Sequence, residues 1–433
     1  MASEPAPFVA QVIWPNAPLT DSLVRNALLH LHPECQIVSS ATSGSSLQWS
    51  SYDEIDHELV NTRRESVLSS SYTFRKCLIR KHFLSRCISS FLTKKPESLL
   101  KDAWPRTFEI EISFADELDE IFADELWELG EELENNQKWW ILKPLNRGNG
   151  IRLFNDRATL EGIFEEFEES DDDDVHENDE DSATGIVTSQ LRHFVIQEYL
   201  ACPLLLDPSE IPLNDDTKPK PEALRGHKFH LRAYCVASGA LSLYLYTRVL
   251  ALFSALPYQD PASELGNIDL ARHLTNTCLQ VSDRGEEGVR LLDELAGCRI
   301  LSGSGDAVFT EDDIGDLKDQ MKNILAETFA AALRDPVNFQ PLPNAFELFG
   351  VDFMVTHSPD PQKKFQVNLL EINAEPAIEM TGPRLRWILE GLFTTIASTC
   401  VEPFFQKSKE EQWDVGQERQ NFLKCLEQQV RGK

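Results

Sequence analysis

Hydrophobic positions in this chain fall into short, nearly continuous apolar runs and longer segments with helical spacing. Runs of about four to eight apolar or alternating residues, bounded by Gly, Pro and polar residues, are typical of strands. Two such runs flank Gly239-Ala240, which predicts a β-hairpin. The predicted strands are residues 139–144, 193–200, 228–238, 241–252, 348–357 and 365–374.

The clearest helical pattern follows Thr310. Ile314, Leu317 and Met321 repeat at helical intervals and would therefore share one face of a helix. Thr310 is a suitable N-cap and Pro336 ends the pattern, which predicts a helix over residues 310–335. Further helices are predicted within residues 61–102, 115–135, 381–400 and 408–430.

The mixture of hairpins and helices predicts the α+β class rather than repeated strand–helix–strand units. We expect antiparallel sheets with flanking helices. Short apolar runs and Ser-rich segments at the start of the chain predict a small αβ unit. The predicted division is an N-terminal αβ unit over 1–70, a linking region over 71–138, the main body over 139–405 and a C-terminal helix over 406–433.

Acidic residues outnumber basic ones and give a formal net charge of −30. This excess repels nucleic acid phosphates, so direct nucleic acid binding is not expected. The acid-rich segment 161–182 buries too little apolar surface to fold, which predicts a flexible insertion within 161–190. Lys and Arg concentrate in residues 61–102, which form either a solvated helix face or a wall of an anion site.

Nine cysteines are scattered along the chain without a CxxC pair. This pattern predicts reduced thiols, and the expected location is the cytoplasm. The N-terminus lacks a signal-peptide pattern, and the apolar stretch 243–258 is interrupted by Arg248. A membrane span is therefore not expected.

Candidate metal ligands lie in the last two predicted strands. Glu371 and Asn373 stand two residues apart and therefore share a face of their strand. Asp352 lies in the middle of the preceding strand, and antiparallel pairing would place it opposite them. Two carboxylates and an amide oxygen suit Mg²⁺. The alternative is that the carboxylates pair with an Arg or cap a loop.

Candidate phosphate ligands alternate along another predicted strand. Lys228, His230 and Arg232 would face the same side of the sheet. Two cations in this position suit a polyphosphate or a developing oxyanion. An exposed sheet face has the same pattern and remains the alternative.

Lys143 ends a third predicted strand and precedes a loop that contains Gly148 and Gly150. Glycines would let the backbone N–H groups of this loop approach a phosphate closely. The loop matches neither the Walker A nor the Rossmann glycine pattern. The strand edge at residues 197–200 could offer backbone groups to an adenine ring.

The order of these motifs resembles the tubulin–tyrosine ligase-like family of the ATP-grasp superfamily. Each motif is short, but together they follow the family's order over about residues 75–400, which is most of the chain. The matching blocks are residues 73–84, 139–151, 194–207, 227–258, 272–277, 347–355 and 369–379.

The resemblance implies an ATP-grasp fold that uses ATP and Mg²⁺. It also implies that Lys228 reaches the ATP phosphates and that Arg232 and Asn276 line the acceptor or acyl-phosphate side. The implied Mg²⁺ ligands are Asp352, Glu371 and Asn373. The implied nucleotide contacts are Lys81, Lys143, Gly148, Gly150, Ile151, Gln197, Glu198, Tyr199, Leu200, Lys228 and His230.

Two positions depart from the family's pattern. The family's KFD[IL]R motif is KFHLR here, so His230 replaces an acidic residue expected near nucleotide and metal. Further along, Leu252 replaces an Arg that the family often carries, and Arg248 is the nearest candidate substitute. In these variants the chain resembles a divergent, fungal branch of the family, some of whose members are linked with mRNA-decay bodies.

Three functions remain compatible with these residues. The first is a ligase that activates a protein carboxylate with ATP and joins it to an amino acid, by positioning and electrostatics. Tubulin is the family's usual acceptor, although the negative charge of this chain disfavours an acidic tubulin tail. The second is a catalytically weak nucleotide-binding scaffold, linked to mRNA-decay bodies. The third is an ATP-grasp ligase with a small-molecule acceptor.

Overall fold

The protein is described here by a computed structural model. The structure describes residues 8–42, 44–112, 114–135, 138–144, 150–174, 193–211, 223–264, 268–275, 288–303, 306–406 and 413–429.

Three β-sheets organise these residues. A parallel sheet near the N-terminus comprises β1 (Val9–Gln11), β2 (Gln36–Val38), β3 (Ser46–Gln48) and β4 (Val67–Ser69). A small antiparallel sheet comprises β5 (Thr107–Glu111), β6 (Trp140–Pro144), β7 (Arg152–Phe154) and β8 (His193–Glu198). A large antiparallel sheet comprises β9 (Leu205–Leu206), β10 (His227–Ser238), β11 (Ser242–Tyr246), β12 (Leu250–Phe253), β13 (Val289–Leu291), β14 (Phe346–His357), β15 (Phe365–Ala374), β16 (Glu418–Arg419) and β17 (Phe422–Glu427).

Helices flank these sheets, as the α+β prediction requires. The α-helices are α1 (Pro18–Leu31), α2 (His57–Thr62), α3 (Lys76–Ile79), α4 (Lys81–Lys94), α5 (Leu100–Ala103), α6 (Leu118–Ala123), α7 (Trp127–Glu134), α8 (Arg157–Asp174), α9 (Leu270–His273), α10 (Glu311–Ala332), α11 (Arg386–Ile396) and α12 (Glu402–Gln406). The predicted helix after Thr310 is confirmed as α10. It begins with a capping box in which Thr310 and Asp313 satisfy each other's backbone N–H groups.

Strand β10 is buried on both faces, which explains its nearly continuous apolar sequence. One face contributes Leu231 and Cys235 to the core cluster that also contains residues of α10. The opposite face contributes Tyr234 and Val236 to a second core cluster, shared with α1 and α11. Because side chains alternate along a strand, the polar residues that precede Tyr234 on this second face reach a cavity rather than the α10 core.

A β-bulge sets which side chains of β15 face that cavity. Val367 and Leu369 point into the α10 core, and simple alternation would send Glu371 to the same side. The pairing register shifts between Asp352 and Phe353, so that Ile372 becomes the next core residue. The extra residue therefore turns Glu371 away from the apolar core.

The predicted helix at the C-terminus is wrong for the described residues. Strands β16 and β17 form a hairpin there, and β17 extends the large sheet by pairing with β11. Gln420 and Asn421 join the two strands with positive φ angles, a conformation that tight hairpin turns require. Phe422 is fully buried, so the second core cluster gains a side chain from this hairpin.

The acidic segments are more ordered than the sequence predicted. Helix α8 covers residues 161–174 of the predicted flexible insertion, because Leu160, Ile163 and Phe164 pack in the core of the small sheet. The remainder of the insertion, residues 175–190, lies outside the described residues. Residues 115–135 form the two short helices α6 and α7 rather than one continuous helix.

One helical stretch, Pro383–Gln406, is long and apolar enough by composition to cross a membrane, and half of its apolar 18-residue window is buried within the fold. Leu389, Leu392 and Phe393 belong to the second core cluster, together with Val24 and Leu28 of α1. This packing accounts for the apolar sequence of the stretch without a lipid environment.

Candidate active site

A cavity of about 450 Å³ lies between the small sheet and the large sheet. Strands β6 and β8 supply one wall, and β10, β12, β14 and β15 supply the other. It collects most of the residues predicted for the site, namely Lys81, Lys143, Ile151, Gln197, Glu198, Tyr199, Leu200, Lys228, His230, Arg232, Asp352, Glu371 and Asn373.

Three predicted residues stand apart from this set. Gly150 is described, has a positive φ of 96° and precedes Ile151 in the wall, but it does not itself line the cavity. Gly148 and Asn276 lie outside the described residues. The prediction that Arg248 could replace the family's Arg at position 252 is wrong. Leu252 lines the cavity, whereas Arg248 does not and lies 3.5 Å from Asp293.

Charged residues stand side by side across three adjacent strands, one basic and two acidic. Arg232 of β10 pairs in register with Asp352 of β14, which in turn pairs with Glu371 of β15. The antiparallel pairing predicted for Asp352 and Glu371 is therefore confirmed. Asn373 donates from Nδ2 to Glu371 Oε1 at 3.1 Å, which links the end of β15 to the same group.

The predicted alternative of an Arg partner also holds for Asp352. Arg232 binds it through two hydrogen bonds, Nε to Oδ1 and Nη2 to Oδ2, the second at 2.9 Å. Burial opposes the charge on Arg232, but the adjacent carboxylate outweighs burial and raises the guanidinium pKa above its ordinary value. This bidentate pair fixes both side chains at the floor of the cavity.

Two lysines act on the charge of Glu371. Lys81 Nζ is 3.2 Å from Glu371 Oε2, and Lys143 lies in the same cavity. Burial alone would raise the pKa of Glu371, but these two ammonium groups hold it well below its usual range. Glu371 is therefore ionised at physiological pH.

Lys143 and Lys228 are cations in a desolvated setting. Burial lowers the pKa of Lys143 to about 8, although the nearby charge of Glu371 opposes this effect. Lys143 Nζ donates to Gln197 Oε1 at 2.7 Å. Burial and the neighbouring Lys143 lower the pKa of Lys228 to about 7, and its Nζ lies 4.0 Å above the ring of Tyr199.

The charged forms of the two lysines would be stabilised by a negatively charged ligand in the cavity. No carboxylate among the described residues forms an ion pair with Lys228, although Lys228 is 3% exposed. A buried ammonium group without a counter-ion is costly, and a phosphate group would supply the missing charge.

The segment predicted to hold adenine follows β8. The backbone N–H groups of Glu198 and Tyr199 donate to Arg106 and Trp139, respectively. The N–H of Leu200 makes no hydrogen bond to another described residue, and Leu200 lines the cavity. The backbone N–H of Leu200 could therefore donate a hydrogen bond to a ligand in the cavity.

Sequence reasoning missed a polar chain beside this segment. Tyr199 Oη lies 2.9 Å from His273 Nδ1, and His273 Nε2 lies 2.9 Å from Glu264 Oε1. Thr275 lines the cavity two residues after His273 and contacts His230. His273 and Thr275 both belong to the matching block 272–277. The block indicated that this segment lies near the site, but it did not predict these contacts.

The donor set fits a divalent cation. Two carboxylates converge on one side of the cavity beside the Asn373 amide, whose Nδ2 group donates to Glu371, and carboxylate oxygens of this kind suit Mg²⁺. Rotation of this amide about its terminal bond would present its oxygen to a cation as a further ligand. Among the described residues, no three His, Cys, Asp or Glu side chains form a ready metal cage. Phosphate or water oxygens would therefore have to complete the coordination, as is usual for Mg²⁺ bound with a nucleotide.

Comparisons with known proteins agree with this geometry. The sequence model described as the tubulin-tyrosine ligase family matches residues 62–409. The chain is 36% identical over 395 residues to the probable tubulin–tyrosine ligase Pby1 of Saccharomyces cerevisiae, covering 87% of this chain and 48% of that protein. It is 34% identical over 400 residues to a probable tubulin–tyrosine ligase of Schizosaccharomyces pombe, covering 88% and 89%. The chain thus spans about half the length of the S. cerevisiae relative.

A solved structure is similar over nearly the whole chain. The C-terminal domain of K. lactis Pby1 superposes with a TM-score of 0.68 at 29% identity, covering 98% of this chain and all of that domain. That protein is described as an ATP-grasp enzyme that interacts with the mRNA decapping enzyme Dcp2. The three sheets and the cavity between two of them therefore form an ATP-grasp fold.

Proposed function

Because the chain belongs to the tubulin–tyrosine ligase family and has an ATP-grasp fold, we propose that it is an ATP-dependent carboxylate–amine ligase. It would add an amino acid to a protein carboxylate. ATP binding is the part of this proposal that the fold supports most directly, and the ligation step rests on the arrangement of side chains.

One observation carries the proposal. Lys143 enters a single cavity from β6 of the small sheet, whereas Lys228, Asp352 and Glu371 enter it from adjacent strands of the large sheet. The volume of about 450 Å³ lies in the usual range for small-molecule sites. Desolvated lysines beside a pair of carboxylates suit a nucleotide triphosphate with its metal, because each group then meets its opposite charge.

The chemistry would proceed in two displacements. A carboxylate oxygen of the acceptor attacks the γ-phosphorus of ATP, and the bond to the β,γ-bridging oxygen breaks to release ADP. The amino acid amine then attacks the acyl carbon of the resulting acyl phosphate, inorganic phosphate leaves with the bonding electrons, and the amine loses a proton to form the amide.

This chain's residues would act by position and charge. Lys143 and Lys228 would hold the phosphates, and Arg232 with Asn276 would line the side where the acyl phosphate forms. A divalent cation held by Asp352, Glu371 and Asn373 would supply Lewis-acid stabilisation of the phosphates. Loss of one such electrostatic group typically costs about a hundredfold in rate.

The proposed acceptor is a protein carboxylate, with tubulin as the family's usual substrate. The net charge of −30 works against an acidic tubulin tail, so only the basic segment 61–102 would attract one. Arg86 of that segment lies at the protein surface and pairs with Glu109. We propose a cytoplasmic location, where ATP and reduced cysteines occur together.

A measurement of ADP release tests the ligase. We expect ADP production to require both an amino acid and a carboxylate acceptor peptide, and to fall about a hundredfold in Glu371→Gln. Glu390→Gln is the matched control, because it makes the same chemical change on an exposed face of α11. If no combination of amino acids and tail peptides raises ADP release above the background, the ligase proposal is abandoned.

Specific observations also favour a second candidate function, a nucleotide-binding scaffold with weak turnover. His230 and Leu252 replace polar or charged residues typical of the family, and the similar K. lactis domain is described as interacting with the decapping enzyme Dcp2. A scaffold of this kind would bind a decapping factor with or without catalysis. Pull-down of purified decapping enzyme by wild-type protein and by Glu371→Gln separates the two functions, because only ligation depends on Glu371.

A further inference from the structure

His230 is buried at the point where the cation site and the nucleotide cavity meet. It lies on β10 two residues before Arg232, and it is 3% exposed. Its Nδ1 atom lies 2.6 Å from Thr275 Oγ1, whereas its Nε2 atom has no hydrogen-bond partner among the described residues. A buried polar atom of this kind needs an explanation, because a missing partner costs free energy.

The unpartnered nitrogen faces a carboxylate. His230 Nε2 lies 3.6 Å from Asp352 Oδ1, which is longer than a hydrogen bond. Two adjacent ligands that each lie about 2.1 Å from an octahedral cation are about 3.0 Å apart. A movement of about 0.6 Å between the two side chains would therefore bring both onto one cation.

The contact with Thr275 can set the tautomer. If Nδ1 carries the proton and donates it to Thr275 Oγ1, then Nε2 holds a free lone pair directed toward Asp352. Histidines that bind metals usually donate their second ring nitrogen in this way, and the partner fixes the orientation of the ring.

We propose that His230 Nε2 is a ligand of the nucleotide-associated cation, which gives this protein a mixed nitrogen–oxygen metal site. The inference rests on the proposed function, because it concerns the same cation. An imidazole ligand favours Mn²⁺ and other transition metals over Mg²⁺, which prefers oxygen. The chain would therefore use Mn²⁺ or a related ion more effectively than a site with an acidic residue at position 230.

Nucleotide and metal would bind together. Arg232 holds both oxygens of Asp352, so its positive charge opposes a divalent cation in the absence of phosphate. The charge of a triphosphate offsets this repulsion. Metal affinity is thus expected to be weak without nucleotide and to increase when nucleotide is present.

Pulsed electron paramagnetic resonance of Mn²⁺ tests this inference directly. The probe is Mn²⁺ with the β,γ-methylene analogue of ATP, which contains no nitrogen in its phosphate chain. The wild-type protein is expected to show phosphorus coupling from the nucleotide and nitrogen coupling from His230. The nitrogen coupling should disappear in His230→Asp, whereas a coupling from the adenine ring would persist in that variant.

The outcomes separate the two proposals. Phosphorus coupling without nitrogen coupling in the wild-type protein overturns the role of His230 but leaves the metal–nucleotide site intact. Nitrogen coupling that persists unchanged in His230→Asp overturns it as well. Absence of Mn²⁺ binding in the presence of nucleotide overturns both the inference and the proposed function.

Calorimetric titration supplies a second measurement. The preference for Mn²⁺ over Mg²⁺ is expected to be about tenfold or more smaller in His230→Asp, since a lost ligand or its support typically changes metal affinity by that amount. Thr275→Val keeps the side-chain volume and removes the Nδ1 partner, so the same preference should fall while nitrogen coupling remains. An unchanged preference in both variants, with each still binding nucleotide, contradicts the inference.

Discussion

At the scale of single residues, the buried lysines determine what the cavity can bind. The alternation of Lys228, His230 and Arg232 in the sequence predicted a shared face, and the structure places all three beside one cavity. The sequence did not show that this face is buried, because burial depends on β6 and β8, which come from distant parts of the chain. Burial removes water from the cations of this strand, so that a bound anion would stabilise them.

Nucleotide affinity should depend on pH through Lys228. Its pKa is lowered to about 7 and that of Lys143 to about 8, so both lose charge as the pH rises from 7 to 9. We expect the affinity for ATP to fall over this range and binding at pH 8 to take up protons, because phosphate stabilises the charged lysines. Titration calorimetry in buffers of different ionisation enthalpy measures both effects.

The control for this prediction is an exposed lysine. Lys101→Met should retain the pH dependence, because Lys101 lies at the protein surface on α5. Lys228→Met should weaken binding at neutral pH and flatten the profile. An affinity that stays constant from pH 6.5 to 9 in the wild-type protein would show that the lysines do not contact phosphate.

Lys228 should also reduce the stability of the ligand-free protein. The unfolded chain binds more protons than the native state between the lowered pKa of about 7 and the ordinary lysine value of about 10.4. The contribution of Lys228 to stability therefore falls as the pH decreases through this window. Without nucleotide, Lys228→Met should unfold at a Tm about 2–4 °C higher than the wild-type protein at pH 7. A lower Tm would indicate that the ammonium group is already well compensated.

At the scale of elements, the pair β14 and β15 shows what a sequence pattern can and cannot predict. Its antiparallel pairing and the shared face of Glu371 and Asn373 follow from strand periodicity. The β-bulge in β15 could not be predicted from this periodicity, because it depends on how β15 pairs with β14. The C-terminal hairpin was mistaken for a helix because the short apolar run at 422–426 fits both periods.

The absence of a side chain at Gly350 should be required for β14 to pack against Pro376, which follows β15. A Cβ atom at Gly350 would lie 2.7 Å from Pro376 Cβ and 3.5 Å from Arg232 Cδ. Gly350→Ala is therefore expected to lower the free energy of unfolding by about 1–3 kcal/mol, because backbone or Pro376 has to move. Denaturant unfolding measures this change.

Gly315→Ala provides the matched control. Gly315 lies on an exposed face of α10, and a Cβ built there has no described atom within 4 Å apart from the neighbouring residues and backbone of its own helix. This substitution should raise the free energy of unfolding by about 0.5–1 kcal/mol. If Gly350→Ala is as stable as the wild-type protein, the close approach of Pro376 does not constrain β14.

At the scale of the whole molecule, the order of short motifs predicted the fold better than any motif alone. The matching blocks, taken in their order, pointed to an ATP-grasp protein, and the family match and the similar solved structure confirm it. The polar chain from Tyr199 through His273 and the contact between His230 and Thr275 could not be predicted, because both join segments far apart in sequence. Such contacts depend on how the two sheets enclose the cavity.

In the proposed site nucleotide would contact both sheets and should therefore stabilise them together. At a nucleotide concentration a hundred times the Kd, the gain in free energy of unfolding is about 2.7 kcal/mol. Thermal unfolding with and without ATP and Mg²⁺ should show a corresponding rise in Tm for the wild-type protein and a much smaller rise in Lys143→Met. An equal rise in both proteins would place the nucleotide elsewhere.

The most direct test of the account is a crystal structure with Mn²⁺ and the β,γ-methylene analogue of ATP. We predict that the phosphates contact Lys143 and Lys228 and that the cation lies between those phosphates and Asp352 and Glu371. A nucleotide bound outside this cavity, or phosphates beyond the reach of both lysines, would contradict it.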